Sequence, residues 1–150
     1  MVKLQKAFDL QKKNHVFVIN HPLTEYFFDF EINKEKFLIN AVHIKAAKPK
    51  GLVFFLHGTL NNIQYHLPKS EIFIQHNYDV VMIDYPTYGK SKGKLTEDLL
   101  HQIVEASYQK TLEVLQNKGK VILYGRSLGT ALASNLATNV IVAKLVLVSP

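Results

Sequence analysis

Gly125-Arg-Ser127-Leu-Gly129 places a serine between two glycines, each two residues away, where an apolar run (residues 121–124) gives way to a stretch of small residues (128–137). That order predicts a strand, a sharp turn and a helix. A serine on such a turn carries a strained backbone and projects its Oγ above the carboxyl edge of a sheet, positioned to attack a carbonyl carbon. Gly125 and Gly129 shape the turn, because side chains there would strike the neighbouring strand and helix. Ala131 and Ala133 let that helix lie close to the sheet. Ser127 is the candidate nucleophile. The Leu128 N–H, at the helix start, faces the place where negative charge develops on the attacked oxygen.

His57-Gly58-Thr59 supplies the other half of the candidate site. It follows an earlier apolar run, and a loop there is expected to donate a second oxyanion N–H, from Thr59 or Leu60. The same G-x-S-x-G pattern occurs again at Gly89-Lys-Ser91-Lys-Gly93. There a Pro-Thr-Tyr loop separates it from the preceding strand, and no apolar helix follows. Ser91 is therefore read as a polar loop residue.

The elements that position these residues follow from hydrophobic spacing. Residues 25–32 and 37–44 read as strands joined by a turn at Asn33-Lys34-Glu35, an antiparallel hairpin. Residues 52–56, 78–84, 121–124 and 145–148 are short continuous apolar runs, as strands buried on both faces of a parallel sheet require. Residues 67–77 read as a helix with Pro68 near its start and Asn77 at its end. Residues 99–115 form the clearest helix. Leu100, Val104, Tyr108, Leu112 and Leu115 share one face, Thr96 caps the start, Glu97 and Asp98 suit its positive end, and Asn117-Lys-Gly119 stops it. Strand and helix alternate, which predicts a mostly parallel α/β sheet with flanking helices and right-handed crossovers. Residues 1–22 are expected to be an irregular segment and 23–150 one partial domain, with no second domain.

Composition narrows the function classes. The 150 residues are 47% hydrophobic and 20% charged, ordinary globular values. The net charge of +6 is spread along the chain, with its densest lysines (Lys45, Lys48, Lys50 and Lys90, Lys92, Lys94) in expected loops. No basic motif interleaved with aromatics occurs, so no nucleic acid partner is expected. With no cysteine, disulfides and thiolate chemistry are excluded, and a reducing cytoplasm is the expected setting. No apolar run is long enough for a signal peptide or a membrane span, so no integral membrane association is expected. No H-E-x-x-H spacing occurs. Ser127 stands where a G-x-G-x-x-G motif needs its second glycine, and Asp84 where a P-loop needs its first. No metal and no cofactor are predicted.

Three ordered motifs then carry a resemblance. His57-Gly58, Asp84-Tyr-Pro-Thr-Tyr-Gly-Lys-Ser91 and Gly125-Arg-Ser-Leu-Gly129 resemble, in order and spacing, the α/β-hydrolase superfamily, over about residues 28–150. The nearest likeness is to its serine aminopeptidase-like and monoglyceride-lipase-like esterase branch, whose usual forms are H-G-N-A-G-N, D-Y-R-G-Y-G-x-S-x-G and G-x-S-L-G. Here Thr59-Leu60-Asn61 replaces Asn-Ala-Gly, and Pro86-Thr87 replaces Arg-Gly. The resemblance implies a serine hydrolase acting on an ester, thioester or amide of a small-molecule or lipid-like acyl substrate. It also implies that His57 and Gly58 shape the oxyanion loop and that Asp84 is structural.

In that family a triad acid and then a histidine follow the serine. All seven histidines here precede Ser127. His15, His21, His43, His66, His76 and His101 read as surface or packing residues. Loss of a triad histidine costs about a millionfold in turnover. The chain is accordingly expected to be a fragment, a truncated reading frame or one piece of a split protein, inactive as it stands. The run at 145–148 is expected to leave an apolar sheet edge open to pairing with a partner. A non-catalytic, partner-binding module is the competing reading.

Overall fold

The computed structural model describes residues 20–149. The expected irregular segment at 1–22 therefore lies outside the described residues up to residue 19. Two strands, β1 (Leu23–Ile32) and β2 (Glu35–Ile44), pair antiparallel from Leu23 opposite Ile44 to Ile32 opposite Glu35. Asn33 and Lys34 turn between them with φ of 54° and 64°. Two successive positive values match the right-handed twist of the flanking strands. Glu35, assigned to the turn by sequence, is the first residue of β2, because backbone pairing continues through polar positions that hydrophobic spacing passes over.

Four further strands follow: β3 (Gly51–Leu56), β4 (Tyr78–Ile83), β5 (Lys120–Arg126) and β6 (Lys144–Val148). The sheet order is β1-β2-β4-β3-β5-β6. β3 lies parallel to both β4 and β5, and β5 is parallel to β6; β4 meets β2 antiparallel. The mixed α/β sheet with flanking helices is the expected architecture.

The continuous apolar run of β3 serves two cores at once. Leu52, Phe54 and Leu56 point to one face, and Val53 and Phe55 to the other. On the first face lie α3 (Glu97–Leu115) and α4 (Leu128–Asn139). There Tyr108 meets Phe54 edge to face, with ring centroids 5.3 Å apart. Burying each of these side chains contributes roughly 2–3 kcal/mol. Thr96 caps α3 as its sequence predicts, its hydroxyl accepting from the Leu99 N–H at 3.3 Å. The helix closes on Gln116 in the left-handed conformation, φ 50°, just before the expected Asn117-Lys-Gly119 stop.

On the second face the expected single helix over 67–77 is replaced. Three short turns run instead from α1 (Ile63–His66) through a 3-10 turn (Leu67–Ser70) to α2 (Glu71–Ile74). The Asn62 side chain starts the series by accepting from the Tyr65 N–H. Pro68, lacking an N–H, cannot extend an α-helical ladder, and the chain tightens there. Asn77, at φ 63°, ends the series.

Candidate functional site

β5 runs into α4 with one residue between them, Ser127. Its backbone sits at φ 53°, ψ −118°, a conformation that a non-glycine residue rarely adopts. Its side chain does not cap the helix, and the residue is exposed. Several contacts hold it there. Its N–H donates to the Val148 carbonyl at 3.1 Å. Its carbonyl accepts from the Thr130 N–H at 2.8 Å and from the Thr130 hydroxyl at 2.6 Å.

The flanking glycines permit the turn. A Cβ on Gly129 would run into the Leu56 carbonyl of β3, and one on Gly125 would run into the Gly129 carbonyl and lie 2.9 Å from Ala133 Cβ. Strand and helix therefore pack backbone to backbone at this point.

Gly58 completes the approach from the neighbouring strand end. A Cβ there would lie 3.1 Å from Ser127 Cβ and 3.7 Å from its Oγ. The loop after β3 thus passes directly beside the serine. Thr59 and Leu60 follow on the surface, with Leu60 74% exposed. Among the described residues, the N–H groups of Thr59, Leu60 and Leu128 have no hydrogen-bond partner. For Leu128 this is the ordinary condition of a first-turn helix N–H.

Beneath the loop is a buried polar cluster. His57 is fully buried; its Nε2 lies 2.9 Å from Asp84 Oδ1 and its Nδ1 2.7 Å from the Gly58 carbonyl. Asp84 Oδ1 also accepts from the Ile63 N–H at 2.9 Å. The Tyr85 hydroxyl donates to the His57 carbonyl at 2.6 Å. Burial first, then the neighbouring Asp84 and Tyr88, push the Tyr85 phenol well above its ordinary range, so it stays a donor at neutral pH. The His66 ring stacks on His57 at 4.9 Å. Its pKa falls to about 4, mainly through burial, with His57, Lys69 and Arg126 acting in the same direction against the raising effect of its bond to Leu60.

Ser91 lies in a different environment. It is 6% exposed, its Oγ donating to the Asp84 carbonyl at 2.7 Å and accepting from the Asn40 N–H at 2.9 Å. Sequence read it as a polar loop residue; it is a buried fastener. His43 pairs with Asp79, His21 with Glu71, and His76 with the Ile72 carbonyl, while His15 is outside the described residues. Among the described residues no histidine hydrogen-bonds the Ser127 hydroxyl. His66 is the member of the site that spacing did not reveal. Its one sequence signal is its position nine residues after His57, which becomes a ring contact only once the short turns form.

Away from this edge, a cleft of about 500 Å³ opens at the opposite end of the sheet, lined by Lys45, Lys50, Asp79 and Lys118 among others. None of the candidate residues reaches it. Among the described residues, no helix is long and apolar enough to cross a membrane.

Comparison with known proteins bears on the family. The family model described as "Serine aminopeptidase, S33" matches residues 47–150. The alpha/beta hydrolase domain-containing protein aho-3 of Caenorhabditis elegans is 39% identical over 79 residues, 49% of this chain and 23% of that protein. Protein bem46 of Schizosaccharomyces pombe is 30% identical over 91 residues, 59% of this chain and 30% of that protein. Among solved structures, a thermostable carboxyl esterase from Bacillus coagulans superposes with a TM-score of 0.69 at 20% identity, over 83% of this chain and 43% of its own; this likeness speaks for the fold. The chain thus spans less than half the length of each of these proteins. With the match covering more than two thirds of its residues, the chain belongs to the serine aminopeptidase S33 family and is built on the α/β-hydrolase fold.

Proposed function

We propose that this chain carries the nucleophile and oxyanion half of a serine hydrolase that cleaves an ester, thioester or amide of a small-molecule or lipid-like acyl substrate. The observation that carries the reading is Ser127 itself: an exposed hydroxyl on a residue held at φ 53° between a strand and a helix. A fold keeps such strain where it has a use. Ser127 Oγ attacks the substrate carbonyl carbon, forming a C–O bond as the carbonyl oxygen takes the negative charge. The unpartnered N–H groups of Leu128 and Thr59, with Leu60 as the alternative to Thr59, receive that oxygen. The Gly58 carbonyl favours Thr59. It is turned toward His57, so the N–H of the same planar peptide, that of Thr59, points away from the ring.

The base that accepts the serine proton is not among the described histidines, since none bonds Ser127. The residues described here are therefore expected to turn over slowly by themselves, with the weak catalysis an oxyanion site alone provides. The cysteine-free sequence fits a cytoplasmic enzyme. The test is hydrolysis of p-nitrophenyl acyl esters by the full gene product and by its Ser127→Ala variant. Turnover abolished in the variant supports the reading, and turnover retained sinks it.

One observation favours the second reading, a partner-binding module. Among the described residues β6 is one of the two edge strands, pairing with β5, and its Leu145, Val146 and Leu147 are exposed, as is Ile141 at 98%. An apolar strand edge of this kind accepts another strand. Ester turnover dependent on Ser127 would decide against a purely binding role.

A further inference from the structure

The loop from Thr59 to Asn61 has little to hold it in place. All three residues are exposed, so no side chain anchors the loop by burial. Asn61, at φ 64°, turns the chain back toward α1. Among the described residues, the hydrogen bonds to the loop backbone come from two histidine rings: His57 Nδ1 to the Gly58 carbonyl at 2.7 Å, and His66 Nε2 to the Leu60 carbonyl at 3.0 Å. These carbonyls lie on either side of Thr59, and the two rings stack on each other with planes 13° apart.

The protonation of His66 is fixed by its neighbours. Lys69 Nζ lies 2.9 Å from His66 Nδ1. An ammonium can only donate, so Nδ1 must be bare and the single ring proton must sit on Nε2. That is the nitrogen facing the Leu60 carbonyl. Lys69 is in turn braced over the Tyr65 ring at 5.0 Å. The other groups facing His66 are the His57 ring, the Phe55 and Tyr65 rings and the Arg126 charge; none is a carboxylate.

We propose that His66 is a positioning residue for the oxyanion loop: its Nε2–H holds the Leu60 carbonyl, Lys69 sets the tautomer that allows this, and stacking on His57 locks the two halves of the loop together around Thr59. The proposal rests on the reading of Ser127 and Thr59 above and deepens it. A ring that merely filled space would not need this tautomer or this lysine. The depressed pKa agrees, since a neutral ring is the form that can accept from Lys69 and donate to Leu60 together.

The test uses the full gene product, with nitrogen-15 NMR of the imidazole rings and backbone amides. His66 is expected neutral, protonated on Nε2, from pH 8 down to about 5. In Lys69→Met the tautomer is expected to become mixed. His66→Gln, whose amide N–H can replace Nε2–H, is expected to keep the Thr59, Leu60 and Asn61 amide positions. His66→Phe, which keeps the stacking and loses both hydrogen bonds, is expected to shift and mobilise those three amides while the rest of the spectrum stays folded. Fluorophosphonate labelling of Ser127 should slow on the order of 10- to 100-fold in His66→Phe and little in His66→Gln, as expected when a donor is misplaced by about an ångström. Proton on Nδ1, or a His66→Phe variant with loop amides unchanged, overturns the proposal. Should the unsubstituted chain take no label at all, that result counts against the Ser127 reading alone, and the loop amides of His66→Phe still decide for or against His66.

Discussion

The chain writes G-x-S-x-G twice, and the two copies fold to opposite ends. At Gly125–Gly129 the serine is exposed, strained and without a hydrogen bond to its hydroxyl among the described residues. At Gly89–Gly93 the serine is buried, and its hydroxyl joins the Asp84 carbonyl to the Asn40 N–H. The glycines differ in purpose too. Gly125 and Gly129 let a strand and a helix touch, whereas Gly89 and Gly93, at φ 50° and 138°, let a loop fold over the Asp84 carboxylate and the Phe37 ring. The pattern is therefore no more than spacing. Its chemistry is set by whether a sheet edge holds the serine up or a loop presses it down.

The largest expected effect separates the copies outright. Ser127→Ala should abolish fluorophosphonate labelling and ester turnover in the full gene product, with the fold intact by circular dichroism. Next in size, Gly129→Val should destabilise the fold by about 3 kcal/mol or more, because a side chain there runs into the Leu56 carbonyl. Thermal melting measures this, and an unchanged Tm would refute the close packing of β3 and α4.

An acid titration sharpens the comparison, because His66 supports only the Ser127 side. The unfolded chain takes up a proton on this histidine near pH 6.5, and the folded chain only near 4. Between those values the unfolded state holds more protons, so stability rises with pH. The contribution is complete above 6.5 and lost as pH falls toward 4, by about 3 kcal/mol at most. Urea melts across that range should show this slope in the unsubstituted chain and a smaller one in His66→Gln. The smallest effect belongs to Ser91→Ala. It leaves the Asn40 N–H and one bond of the Asp84 carbonyl unmet and should cost about 1–2 kcal/mol. Labelling at Ser127 should persist.

The sheet was legible in sequence because β3 and β4 are buried on both faces and β5 is buried on one and half-buried on the other, and continuous apolar runs leave little else to be built. The Ser127 turn was legible because two glycines, a strand and a helix must coincide to make it. The second face was read less well. Residues 67–77 carry helical spacing, yet Pro68 breaks the ladder that spacing assumes, and the capping that starts the turns lies five residues earlier, at Asn62. The His57–His66 stack was invisible for the same reason: it depends on those turns, and neither histidine announces its burial. Ser91 shows the converse. Sequence read it as a polar loop residue, and it does lie in a loop, but its burial was not legible: its hydroxyl fastens β2 to the loop after β4 from inside.

The most direct measurement of the central claim is to treat the full gene product with a fluorophosphonate and locate the adduct by peptide mass spectrometry. The account predicts a single adduct on Ser127, absent in Ser127→Ala and present in Ser91→Ala. An adduct on Ser91, or none on Ser127 in a folded protein, would contradict it.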